Sequence, residues 1–282
     1  MIGLGLLLAI SASSDTLLVS PSWLADRLHD PAIVILHVSS SQHYDAGHIP
    51  GARWVDPMFF HAHEGADLPP PELMSRALAD VGVTNTSRII ISGEPLYPAI
   101  LFVALDYLGL GDRTSLLDGG FAAWKADGFN SSTEAPVPTK SVHVVAVKPR
   151  SDVVVDAAWI AERLGREDVQ LLDARTPEEY AGTAKEWLPR TGHIPGARLL
   201  NWRDVTDEST GRLKSPATLT AMFTELGAAR DDTVVTYCTV GMRASELYFV
   251  ARLLGYQTRI YAGSMADWSP RAELPVAMGA HP

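Results

Sequence analysis

The chain has 282 residues, 46% hydrophobic and 20% charged, with a formal net charge of −10 and an isoelectric point near 5.3. That length suits two domains, each large enough to bury its own core. The acidic balance, with no lysine- or arginine-rich run, argues against a nucleic-acid partner, and a single cysteine leaves no intrachain disulfide.

In chain order, the first feature is an apolar run, Ile2 to Ile10, followed by Ser11-Ala12-Ser13-Ser14. It has the shape of a short signal-peptide core with a small-residue cleavage zone, without the usual basic residues before it. It is too short to span a bilayer as a helix, so no membrane span is expected. An export signal and a disordered leader are both open, and the lack of charge favours export to a periplasmic setting over the cytoplasm. Folded structure is expected from about Leu17. Short β-branched strands follow at Ile33–Leu36 and Ile89–Ile91, alternating with helical patterns such as Pro71–Val81. The segment Asn130 to Pro149 is rich in Ser, Thr and Pro, as expected of a surface linker. Beyond it come strands at Leu171–Leu172 and Val234–Tyr237 and a helix over Pro216–Leu226.

An internal repeat organises these elements. Gly47-His48-Ile49-Pro50-Gly51-Ala52 recurs unchanged as Gly192-His193-Ile194-Pro195-Gly196-Ala197. Trp23 anticipates Trp159, Asp118-Gly119-Gly120 anticipates the stretch around Gly263, and Trp124 anticipates Trp268. The reading is an α/β fold duplicated in tandem, each copy a parallel sheet flanked by helices. The expected divisions are a leader at 1–14, a first domain at 15–129, a linker at 130–150 and a second domain at 151–282.

Cys238, the lone cysteine, ends a strand and is followed by Gly241, Arg243 and a helical run carrying Leu247, Val250, Leu253 and Leu254, with Gly255 at a C-terminal cap position. A strand, a glycine-containing loop and a helix start form an anion cradle, because the first-turn amides have no partner within the helix. The positive helix end and Arg243 favour thiolate over thiol at Cys238. The competing reading is a buried small hydrophobe.

With those residues assembled, the chain resembles the tandem-domain rhodanese family, the thiosulfate and 3-mercaptopyruvate sulfurtransferases. Four motifs carry the resemblance: Gly-His-Ile-Pro-Gly-Ala in both halves, Leu172-Asp173-Ala174-Arg175, Cys238-x-x-Gly241-x-Arg243-Ala244, and Gly263-Ser264-x-x-x-Trp268 followed by Leu274-Pro275-Val276. The resemblance implies a silent first domain and a second domain whose cysteine carries sulfur as a persulfide, with the active site near the interface between them. It further implies a small anionic sulfur donor, cyanide or a thiol as acceptor, a thioredoxin-like protein among the candidate acceptors, ping-pong kinetics and no cofactor.

The first half fits a silent copy: His37-x-Ser39 replaces Asp173-x-Arg175, Ser92 or Gly93 falls at the Cys238 position, and Pro98 falls near the Arg243 position. In the second half, the loop residues Thr239, Val240, Gly241 and Met242 are candidates to stabilise persulfide charge, and Arg243 and Arg175 to bind the donor. Both arginines have structural alternatives, Arg243 on loop carbonyls and Arg175 in an ion pair with Asp173 or Glu179. Where the resembled family carries a second arginine after an aromatic residue, this chain has Ala181, leaving Lys185 or Arg190 to compensate. His48 and His193, identical in both halves, read as turn-stabilising residues rather than bases. His61-Ala62-His63-Glu64 suggests a metal but lacks a third ligand, so a solvated loop is expected. Trp124 and Trp268 read as core or cleft-wall residues.

Two rivals remain. Phosphatases of related topology need Cys-x5-Arg, whereas only four residues separate Cys238 from Arg243, so a phosphatase is remote. Mercaptopyruvate enzymes usually carry a loop serine that this chain lacks, and Arg243 suits doubly charged thiosulfate, which is therefore the favoured donor. A non-enzymatic sulfur-relay or docking module is the alternative from another class.

Overall fold

The computed structural model describes residues 17–61, 68–136, 145–185 and 187–281. The leader and most of the His61–Glu64 segment lie outside that range. The first half contains β1 (Leu18–Val19), α1 (Pro21–Ala25), β2 (Ile33–Val38), α2 (Ser41–Ala46), β3 (Arg53–Val55), α3 (Pro71–Asp80), β4 (Arg88–Gly93), α4 (Tyr97–Tyr107), β5 (Thr114–Leu117) and α5 (Gly120–Ala126). The second contains α6 (Ala157–Ala161), β6 (Val169–Asp173), α7 (Pro177–Ala181), β7 (Arg198–Leu199), α8 (Pro216–Glu225), β8 (Thr233–Tyr237), α9 (Met242–Leu253), β9 (Gln257–Ile260) and α10 (Ser264–Trp268).

Each half builds one parallel sheet. The orders are β1-β5-β4-β2-β3 and β7-β6-β8-β9. A parallel bridge between Val154 and Ile260 supplies the edge that β1 supplies in the first half, so the two orders coincide. Side-chain alternation covers both faces of each sheet. In the first half Leu36, Ile89 and Ile91 face one apolar cluster, while Ile35 and Ile90 face another around Leu24 and Trp124. In the second half Leu172 and Val234 face the first of these clusters, and Leu171, Val235 and Tyr237 face a third around Trp268.

Helices α4 and α9 explain why the first cluster spans both halves. α4 is apolar nearly all round and buried over Ala99–Asp106, α9 is buried from Ala244 to Leu253 except at Glu246 and Arg252, and the two pack on each other. Phe102 meets Phe249 edge-on, with ring centroids 4.8 Å apart. Beside them the buried Asp106 of α4 accepts hydrogen bonds from Tyr248 Oη at 2.6 Å, Arg252 Nε at 2.8 Å and an Arg150 amino group at 2.8 Å. Farther out, Arg212 pairs with Asp127 at 2.6 Å.

The expected surface linker is tied down at its C-terminal end. Val145 is buried, Ala146 N donates to Asn85 Oδ1 at 2.7 Å, and the Lys148 and Arg150 amides donate to Leu108 and Tyr107 carbonyls at 3.0 and 2.7 Å. Gly255, with φ 83°, takes the left-handed position just beyond α9.

Candidate active site

β8 delivers Cys238 to the carboxyl edge of the second sheet, and α10 fixes the loop that follows. Cys238 N donates to Ser264 Oγ at 3.0 Å, and the Cys238 and Thr239 carbonyls accept from Met265 and Ala266 amides at 3.0 and 2.9 Å. Ser264 itself sits at φ 53°, a left-handed conformation that its Oγ supports by donating to the Tyr261 carbonyl at 2.9 Å. The chain then turns at Gly241, φ 85°, where a Cβ would come within 2.6 Å of the Ala262 carbonyl oxygen. Only glycine fits there. The turn aims the Gly241 N–H at Cys238 Sγ, 3.1 Å away, and places the unpartnered first-turn amides of α9 directly after it.

Arg243 is held from outside the loop. Its two terminal nitrogens donate to the two oxygens of Glu179 at 2.7 Å each, and one also donates to Thr239 Oγ1 at 2.7 Å. Glu179 meanwhile closes a capping box at the start of α7: it accepts from Thr176 N at 2.9 Å and its own N–H donates to Thr176 Oγ1 at 3.3 Å. Burial alone would raise the Glu179 carboxyl. Hydrogen bonds from Arg243 and Thr176 and the charges of Arg243 and Arg175 overcome that and hold it at about 2. Burial likewise works against the Arg243 charge, but hydrogen bonds to Glu179 and negative charge at Cys238 and Glu179 leave its pKa raised. The guanidinium and the sulfur thus share one electrostatic site.

The other candidates fall differently. Arg175 is wholly buried, donating to both oxygens of Asp173, with the closest contact at 2.7 Å, and to the Gly192 carbonyl at 2.7 Å. This corrects the donor-binding expectation for Arg175: it joins the strand end to the Gly-His-Ile-Pro turn, without solvent contact. Arg190 donates to the carbonyls of Trp268, Ser269, Arg271 and Leu274, so it anchors the C-terminal segment instead of compensating at Ala181. Lys185 is exposed. Thr239 Oγ1 donates to Glu179 Oε1 at 3.3 Å, Val240 reaches the surface, and Met242 is half-buried.

Both motif histidines are turn residues. His48 and His193 stack on Tyr44 and Tyr180 with centroids 3.8 and 3.7 Å apart, and each Nδ1 donates to the carbonyl of its stacking tyrosine at 2.8 Å. Trp124 and Trp268 are buried, their indole N–H groups capping the Asn130 and Pro275 carbonyls. No group of His, Cys, Asp or Glu among the described residues has metal-site geometry. Glu179 went unread as the anchor of Arg243. The sequence offered it only as a candidate partner of Arg175, and nothing local marks a contact with Arg243 across 64 residues.

Cys238 is fully buried, in the cluster that includes Leu172, Ala174, Ala244 and Leu247. A void of about 10 Å³ bordered by His61, Gly241 and Ser245 lies beside the loop, room for one water at most.

In the first half the sheet registers settle the equivalences. His37 pairs with Ser92 as Asp173 pairs with Tyr237, so Gly93 takes the Cys238 position and Pro98 that of Arg243. The turn persists there: Leu96, at φ 79°, matches Gly241.

Residues 20–127 and 156–271 each match the rhodanese-like domain model, and the chain belongs to that family. It is a tandem-domain sulfurtransferase. The thiosulfate sulfurtransferase of Pseudomonas aeruginosa is 32% identical over 278 residues, 95% of this chain and 99% of that one. The 3-mercaptopyruvate sulfurtransferase of Escherichia coli K12 is 29% identical over 285 residues, 93% of this chain and 98% of that one. The crystal structure of YnjE superposes with a TM-score of 0.84 at 25% identity, covering 93% of this chain and 68% of that one.

Proposed function

We propose that this chain takes a sulfane sulfur from thiosulfate onto Cys238 and passes it to a thiol acceptor. The Gly241 N–H on Cys238 Sγ carries the reading, since that amide favours negative charge on the sulfur before and after transfer. The Cys238 thiolate attacks the outer sulfur of thiosulfate. A Cys–S bond forms, the donor S–S bond breaks, and sulfite leaves with the bonding pair. The outer sulfur, now an anionic persulfide, is attacked by an acceptor thiolate, and the Cys238 thiolate is released. Cyanide and a thioredoxin-like protein are the candidate acceptors for the second step.

Arg243 contributes charge here, not a two-pronged grip, because its fork is occupied by Glu179. Thiosulfate is favoured over 3-mercaptopyruvate: the only loop hydroxyl, Thr239 Oγ1, donates to Glu179 and is not available to protonate an enolate. The first half is assigned a silent role, since Gly93 and Pro98 offer neither nucleophile nor cation.

Incubation with thiosulfate followed by intact mass measurement tests the proposal. Wild type gains one sulfur and Cys238→Ser gains none. No adduct on wild type with thiosulfate, or an equal adduct on the variant, overturns it. Parallel rates with 3-mercaptopyruvate decide the donor.

A further inference from the structure

A well-formed cavity lies away from Cys238. It holds about 320 Å³ and lies between the halves, beyond the carboxyl ends of β4 and β5. That is the ligand position of a parallel α/β sheet, here in the copy without a nucleophile. One wall is the loop from Gly93 to Pro98. That loop keeps the left-handed turn of the cysteine loop although Leu96, not glycine, must adopt it. The opposite wall comes from the second half, through Trp202, Leu213, Glu246 and Phe249.

The lining is apolar with a negative edge. Glu94, Asp118, Asp207, Glu208 and Glu246 reach it, against Arg203 as the single cation among the described residues that line it. Most of these acids are engaged. Glu94 pairs with His43 at 3.0 Å, Asp118 accepts from Leu213 N at 3.0 Å, and Asp207 accepts from Ser209 and Thr210. Glu208 is exposed. Glu246, half-buried on α9, has no hydrogen bond or ion pair among the described residues, and burial pushes its carboxyl up to about 7. An anionic sulfur donor is repelled from such a lining, whereas a cation with an apolar body satisfies both its charge and its walls.

We propose that this cavity is a second ligand site that takes a small organic ammonium compound, its charged head on Glu246 and its apolar body against Leu96, Trp202 and Phe249. The site is separate from the Cys238 loop and does not depend on the sulfur-transfer reading.

Calorimetric titration of the full chain at pH 8 tests it, with 2-phenylethylammonium as probe and 3-phenylpropionate as its anionic counterpart. Wild type binds the ammonium compound saturably, with a dissociation constant below about 1 mM. Glu246→Gln weakens binding at least tenfold, Leu213→Trp abolishes it by filling the cavity, and 3-phenylpropionate does not bind. Sulfur loading of Cys238 is unchanged in Glu246→Gln. No ammonium binding by wild type, equal binding by Glu246→Gln, or equal binding of the carboxylate overturns the proposal. Binding is read without turnover, so a failure of persulfide formation bears only on the Cys238 reading.

Discussion

Glu179→Gln removes the charge that fixes Arg243 while keeping a side chain of the same shape. The carboxyl is held at about 2 against an ordinary 4.5, which corresponds to about 3 kcal/mol of folding free energy at neutral pH. The side chains of the pair keep 15% and 22% exposure, and glutamine retains part of the hydrogen bonding, so the expected loss is about 2 kcal/mol. The sign follows from the direction of the shift. A carboxyl lowered by folding stabilises fully above its unfolded value and loses that contribution as pH falls towards its folded value. Urea unfolding of wild type and variant between pH 7 and pH 3 measures the difference. It stays near 2 kcal/mol from pH 7 to pH 5 and narrows below about pH 4.5. A difference under about 0.5 kcal/mol at pH 7, or one that does not change with pH, refutes the assigned role of Glu179.

Arg243→Lys keeps a charge near the sulfur but loses the fork, so stability falls by about 1–2 kcal/mol, and sulfur loading from thiosulfate falls less than in Arg243→Ala; initial rates with both variants check this. Gly93→Cys does not awaken the first half: a Cβ there collides with the Val38 carbonyl, so in a Cys238→Ser background the variant unfolds at lower urea and acquires no persulfide by mass. Glu246→Gln acts in the opposite sense to Glu179→Gln. A carboxyl raised by folding to about 7 lowers stability progressively as pH rises from its unfolded value of 4.5, so the variant gains about 1–2 kcal/mol at pH 8 and nothing at pH 4 in urea unfolding.

The repeat, the parallel α/β halves and the strand–loop–helix at Cys238 were legible because each is local: β-branched runs, an identical hexapeptide, a glycine where the backbone must turn left-handed. The structural reading of His48 and His193 followed from their identity in a half without a nucleophile. What the sequence concealed are long-range pairings. Arg175 lies two residues from Asp173, which suggests an ion pair, but its complete burial depends on the Gly192 carbonyl arriving from 17 residues away. Arg243 was open between the donor and the loop carbonyls, and its actual partner was hidden because Glu179 reaches it only after α7 and α9 are both in place. The left-handed Ser264 carried no signal either, since the residue type argues against that conformation and only the Cys238 amide and the Tyr261 carbonyl justify it. The end of the linker read as polar spacer, yet its amides find carbonyls at the end of α4.

Asp106 has a consequence for how the gene could be divided. Two matching halves suggest a chain separable into two domains, but this carboxylate belongs to the first copy while Tyr248 and Arg252, two of its three donors, belong to the second. Cutting the chain in the linker would leave one fragment with an acid stripped of those two donors and the other with a phenol and a guanidinium turned towards nothing. Each half therefore completes the packing and hydrogen bonding of the other along α4 and α9.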